Sequence, residues 1–159
     1  HQMQPNKVEG KVELIDFAGN KLTSVITTFS DHPSHSEELK WDQISNQKVG
    51  APIDSTNCLL VFRLTNNNFV TSSLLFFTDP KKLKLPPTKI EYSIIDNQIH
   101  LVSSNFAYGV YIDVPDGVDL DDNYFHLLPG EKKVVSFTSG IPIETLKKQI
   151  RIKSLVDTY

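Results

Sequence analysis

Five aspartates fall within one short stretch, Asp113, Asp116, Asp119, Asp121 and Asp122, and they are the first candidates for chemistry. Grouped carboxylates can hold Ca²⁺ through side-chain and main-chain oxygens, but an EF-hand needs Gly at its sixth position and Glu at its twelfth, and this stretch has neither pattern. A glycosidase pair needs two carboxyl groups about 5 to 9.5 Å apart across a cleft, a separation that spacing along a chain does not set. The plainer reading is turn chemistry, because short polar side chains bond back to nearby amides where no sheet partner is available. His32 and His35 stand three apart, a ligand spacing on a helix, but Pro33 and the neighbouring serines make this a loop with no Cys or clustered carboxylate beside it. No metal site is expected. Cys58, the one cysteine, lies among Leu59, Leu60, Val61 and Phe62 and reads as a small buried hydrophobe. There is no Gly-x-Ser-x-Gly elbow, no phosphate-cradling glycine loop and no dinucleotide fingerprint, so neither a nucleophilic triad nor a cofactor is expected. Trp41, Tyr108 and Tyr111 are candidate sugar contacts, with Tyr124 beside them, although aromatics on strands more often serve the core or cross-strand pairs.

The elements that would carry these residues are strands. Val12 and Leu14 alternate with Lys11 and Glu13, Phe17 to Asn20 interrupts, and Leu22 to Phe29 resumes, which is a hairpin signal. A polar connection from Ser30 to Pro52, with a short strand around Leu39 to Trp41, leads to an apolar strand over Asn57 to Thr65. An Asn66-Asn67-Asn68 turn and a return strand over Phe69 to Phe77 follow. Thr78 to Thr88 holds three prolines and three lysines, cannot continue a central strand, and reads as a domain boundary, with Asp79 placed to cap one helical turn over Lys81 to Lys84.

Beyond the boundary, Lys89 to Ile95, Gln98 to Ser103 and Tyr108 to Val114 form a meander. Ile99 and Leu101 share one face of the second strand, and Val110, Ile112 and Val114 share one face of the third. Asp119 to Phe137 carries the organising corner. An acidic turn lifts into a short aromatic strand, Pro129-Gly130 fits the central pair of a type II turn, and Val134 to Phe137 leaves as another strand. Ile143 to Lys148 suits one helical turn, and Ile150 and Ile152, alternating with Arg151 and Lys153, should be buried on an edge strand. With no long helical periodicity, the expectation is an all-β chain of two tandem immunoglobulin-like sandwiches, residues 1–84 and 85–159.

At 159 residues with 39% hydrophobic and 22% charged side chains, the chain has the composition of a globular protein with a real core. A net charge of −3 with no basic run longer than two residues gives no footprint for nucleic acid or anionic lipid. No apolar run reaches transmembrane length. A chain that opens on His1 with no leader reads as a piece of a longer one.

Leu85-Pro86, Ser103 to Tyr111, Asp122-Asn123-Tyr124-Phe125 and Leu128 to Glu131 together resemble the last immunoglobulin-like domain of β-mannosidases in glycoside hydrolase family 2. The Gly19-Asn20 hairpin, the Cys58 to Leu64 strand and the Phe76 to Leu85 exit resemble the preceding sandwich of the same enzymes. In that family both catalytic glutamates belong to an upstream barrel, so the resemblance implies no catalytic residue here. It implies an accessory fragment of a retaining enzyme that removes terminal β-linked mannose, with the barrel and upstream domains of the parent chain as partners. The compartment is left open: periplasmic or extracellular for a bacterial source, lysosomal for an animal one. A homodimer is left open, as are two other readings, a carbohydrate-binding module for mannose-containing glycans and a protein-interaction or adhesion sandwich. In the immunoglobulin-like reading Asp122, Asn123, Tyr124, Phe125, Pro129 and Gly130 are structural. Phe125 should lie in the core, Tyr124 at its margin locking the corner, and Asp122 or Asn123 should bond to amides of the preceding loop.

Overall fold

The computed structural model describes residues 7–30, 52–66 and 69–158. Trp41, His32, His35 and the strand expected near Leu39 lie outside the described residues, as do two of the three asparagines expected to form a turn. The chain divides into two compact units, His1–Asp16 with Asn20–Lys84, and Phe17–Gly19 with Leu85–Tyr159.

In the first unit β1 (Lys7–Asp16), β2 (Lys21–Ser30), β3 (Cys58–Asn66) and β4 (Phe69–Phe76) form one antiparallel sheet in the order β2-β1-β3-β4. Asp16 closes the first hairpin, its two carboxylate oxygens accepting from the main-chain and side-chain amides of Asn20 at 2.8 Å each. Val12, Leu14, Ile15, Cys58, Leu59 and Val61 are buried. Cys58 is 1% exposed, and burial pushes its thiol up to about 11, as suits a packing residue and not a nucleophile.

Glu13, on the same strand, is only 3% exposed. It is compensated by Lys11 at 3.2 Å, Lys21 at 2.9 Å and Arg63 at 3.0 Å. Burial opposes its ionisation, and the ammonium groups of Lys21 and Lys11 outweigh that, so its carboxyl sits below the ordinary value. Pro80–Lys82 make a single 3₁₀ turn after β4. Asp79 heads it with its main-chain carbonyl, accepting from Lys82 N–H at 2.9 Å, while its carboxylate makes no cap, contrary to the sequence expectation.

In the second unit β5 (Ile90–Ile95), β6 (Gln98–Ser103), β10 (Lys133–Ser139) and β8 (Val118–Leu120) form one sheet in the order β5-β6-β10-β8. The other sheet is β11 (Arg151–Lys153), β7 (Ala107–Asp113) and β9 (Phe125–Leu127), in the order β11-β7-β9. Ile99, Leu101, Val135 and Phe137 from the first sheet and Ala107, Val110, Ile112 and Leu127 from the second share one buried cluster. The alternation read along each strand therefore makes a sandwich core. Asp96 and Asn97 both take positive φ, 47° and 61°, the backbone of a two-residue hairpin turn that these residues tolerate.

A seven-residue helix α1 (Ile143–Gln149) inserts Leu146 into the core, and the Arg151 guanidinium donates to the Lys148 and Ile150 carbonyls at its end. Ile150 is buried as expected, but Ile152 is only half-buried, because β11 is a three-residue strand at the edge of its sheet. Phe17 stacks on Phe106 within this unit, ring centroids 5.2 Å apart, and both rings are fully buried.

Candidate functional site

The stretch after β8 leaves one sheet of the second unit and enters the other, and two short polar side chains replace the main-chain ladder at its ends. Leu120 pairs with Phe137, and Asp121 extends that register: its N–H donates to Ser136 O at 3.0 Å while its carboxylate accepts from Ser136 N–H at 2.8 Å. Two residues later Asn123 does the same on the second sheet. Val110 pairs with Phe125, and the next position in that register belongs to Ile112 opposite Asn123. There the Asn123 amide accepts from Ile112 N–H at 2.8 Å and donates to Ile112 O at 2.9 Å, and it also accepts from Tyr124 N–H at 3.0 Å. A side-chain amide has the same donor and acceptor as a peptide unit and satisfies both groups of a buried strand residue.

The corner is thus locked by Asn123 and not by a tyrosine hydroxyl. Asn123 bonds to a strand instead of the preceding loop, and Tyr124 lies 73% exposed instead of at the core margin. Tyr124 has φ 59°, a left-handed conformation that costs a residue bearing a β-carbon about 1 to 2 kcal/mol. Its ring stacks on Tyr111 at 4.8 Å and 27°. The neighbouring phenol raises the Tyr111 pKa, with burial and Asp113 adding to it.

Phe125 is half-buried, packed against the core from its edge, with the Lys133 ammonium 5.0 Å over its ring. Lys133 also pairs with Asp122, which therefore contacts a side chain and not a loop amide. Pro129-Gly130 forms its turn with Glu131 N–H donating to Leu128 O at 3.1 Å and Gly130 at φ 70°, the type II geometry.

Tyr108 is not free to stack on a ligand in the way Tyr124 is, since its ring lies 4.4 Å from His126 and 6.4 Å edge-on to Phe106. His126 fills a gap in the β7–β9 ladder. The register shifts between Ala107 and Val110, Gly109 adopts φ 59°, and the N–H that the bulge strands donates to His126 Nδ1 at 3.0 Å. Burial lowers the His126 pKa, so the ring accepts that bond as neutral imidazole. Nothing in the sequence marks His126, and for Asn123 the bond to main-chain amides is expected but its partner on β7 is not; Gly109, facing His126 across the ladder, is the one sign of a bulge.

Two cavities of about 370 and 310 Å³ lie along β5 and β6. The carboxylate that lines them, among the described residues, is Glu91, and the Lys89 ammonium at 2.7 Å holds it below the usual range, opposite to what a general acid requires. Among the described residues no group of three or more His, Cys, Asp or Glu could hold a metal ion. Asn123, Asp121 and His126 serve main-chain groups at the corner, and the Glu91 carboxylate of these two cavities is paired with a lysine.

Comparison with known families places this unit. Residues 82–158 match the mannosidase Ig-fold domain. From Leu85 on, the matched segment falls in the second unit, and it contains the sandwich, corner and bulge described above. Among solved structures, a β-D-mannosidase from Dictyoglomus thermophilum superposes with a TM-score of 0.64 at 16% identity, covering 96% of this chain and 19% of that one. An exo-chitosanase from Amycolatopsis orientalis matches with a TM-score of 0.44 at 13% identity, over 95% of this chain and 23% of that one. The chain thus spans about a fifth of the length of the β-mannosidase whose fold it shares. No curated protein matches the chain by sequence.

Proposed function

We propose that the chain is a non-catalytic accessory fragment of a β-mannosidase, a retaining hydrolase of family 2 that removes terminal β-linked mannose. Its two β units pack on and support a catalytic barrel carried by the rest of the parent polypeptide. The observation that carries the reading is the match of residues 82–158 to the mannosidase Ig-fold domain. The fold shared with the Dictyoglomus β-mannosidase across nearly the whole chain adds to it. The local chemistry agrees, because the asparagine, aspartate and histidine side chains of the corner are spent on main-chain groups and the cavity carboxylate is tied to a lysine.

The purified chain incubated with an aryl β-mannoside should release no phenol above the uncatalysed background. Turnover that co-purifies with the chain through successive columns would overturn the reading.

A further inference from the structure

Tyr124 of the second unit is exposed and stacks on Tyr111, a half-buried residue of β7. Tyr124 sits in a backbone conformation that Gly or Asn adopts easily and a tyrosine resists. Its ring repays little of that in the core, being 73% exposed with Tyr111 stacked on one side. Strain of this kind persists where the surroundings fix it, and here the Asn123 amide does so through its bonds to Ile112 and to Tyr124 N–H.

The surface around the rings is polar and of mixed sign. Tyr111 and Asp113 are two apart on β7 and share a face, and across the ladder Tyr111 stands opposite Lys153 and Asp113 opposite Arg151. Asp113, Arg151 and Lys153 are all exposed. Asp122, two residues before Tyr124, is paired with Lys133.

We infer that Tyr124 and Tyr111 form a stacking platform for a neutral saccharide, one pyranose ring laying its C–H face on Tyr124 while hydroxyls reach Asp113, Lys153 and Arg151. Aromatic faces ringed by both donors and acceptors suit a neutral polyol. The mixed charge gives no preference for phosphate, and one open ring is far smaller than the apolar core of a protein interface. The choice of mannose as first probe rests on the function proposed above; the platform does not.

The test is an NMR titration of the ¹⁵N-labelled chain with mannotriose, cellotriose and xylotriose, repeated on Tyr124→Gly and Tyr124→Asn. At least one oligosaccharide should bind with millimolar affinity and shift the amides of Tyr111, Asp113 and Tyr124. Both variants should weaken that binding about three- to tenfold, the worth of one stacked ring, while their denaturation midpoints equal or exceed that of the parent sequence. Absence of binding by all three sugars would overturn the inference, as would binding that survives loss of the ring. So would a clear drop in stability in both variants, which would show that the ring serves the fold. Each of these outcomes is separate from the aryl β-mannoside assay, which reads the function of the whole and not this surface.

Discussion

Replacing Asn123 with Ala should be among the most damaging single changes in the second unit, although the residue lies in a loop. The substitution removes two bonds to Ile112 and one to Tyr124 N–H, at 2.8, 2.9 and 3.0 Å. Ile112 is 1% exposed and pairs on its other side with Ile152, so its N–H and carbonyl toward Asn123 have little access to replacement water. Each bond contributes about 0.5 to 1.5 kcal/mol net, and a buried group left unsatisfied costs about 1 to 3 kcal/mol. The three bonds overlap and the loop can relax, so the expected loss is about 2 to 4 kcal/mol. Tyr124→Phe, which touches no main-chain bond, should cost under about 0.5 kcal/mol, as exposed positions do.

Urea denaturation followed by the near-ultraviolet signal of the second unit's tyrosines reads both, and exchange of the Ile112 amide reports the site directly. Asn123→Asp is the sharper variant. It keeps the acceptor for Ile112 N–H but sets a carboxylate oxygen against Ile112 O, so it should recover less than half of the loss. An Asn123→Ala protein within about 0.5 kcal/mol of the parent sequence, the scatter of surface changes, would refute the idea that this amide closes the ladder.

Glu13→Gln should lower the stability of the first unit by about 1 to 3 kcal/mol, because a buried carboxylate facing three cations is lost while the exposed lysines can turn to water. Its folded pKa lies below the ordinary 4.5, so this contribution is complete above pH 4.5 and is lost as pH falls through the folded value. Acid titration of stability should therefore show a step below that pH that Glu13→Gln lacks. Gly130→Ala should cost about 1 to 2 kcal/mol from the left-handed φ alone, since an added β-carbon meets nothing within 4 Å. A larger loss by denaturation would point to a clash. Cys58 should react with a thiol reagent only as fast as the first unit opens, given its burial and its pKa of about 11; rapid labelling of native protein would contradict that packing.

The period-two pattern made the sandwich legible, because Ile99 with Leu101 and Val110 with Ile112 are set on one face by strand geometry whatever surrounds them. Turn chemistry was legible for the same reason, since Asp96-Asn97 and Pro129-Gly130 carry their φ preferences with them. The corner was not. Whether an Asn bonds to its own loop or to a strand eleven residues back is decided by where the chain returns, and composition is silent on that. The ordering of Tyr124 and Phe125 failed on one backbone angle. Strand alternation assumes extended φ, and the left-handed turn at Tyr124 sends its ring to solvent while leaving Phe125 at the core's edge. His126 is not legible, because a histidine next to a phenylalanine on a strand gives no sign that a bulge on the facing strand needs an acceptor.

The central claim is that these two units support a β-mannosidase barrel without sharing in its chemistry. It is tested most directly by assaying the full-length parent polypeptide, with and without residues 1–159, on a panel of aryl β-glycosides while following thermal inactivation. The account predicts that the full-length protein hydrolyses the β-mannoside in preference to the others, and that removing these residues lowers the inactivation temperature or soluble yield. A full-length protein that prefers another β-glycoside, or one that is equally active and equally stable without these residues, would contradict it.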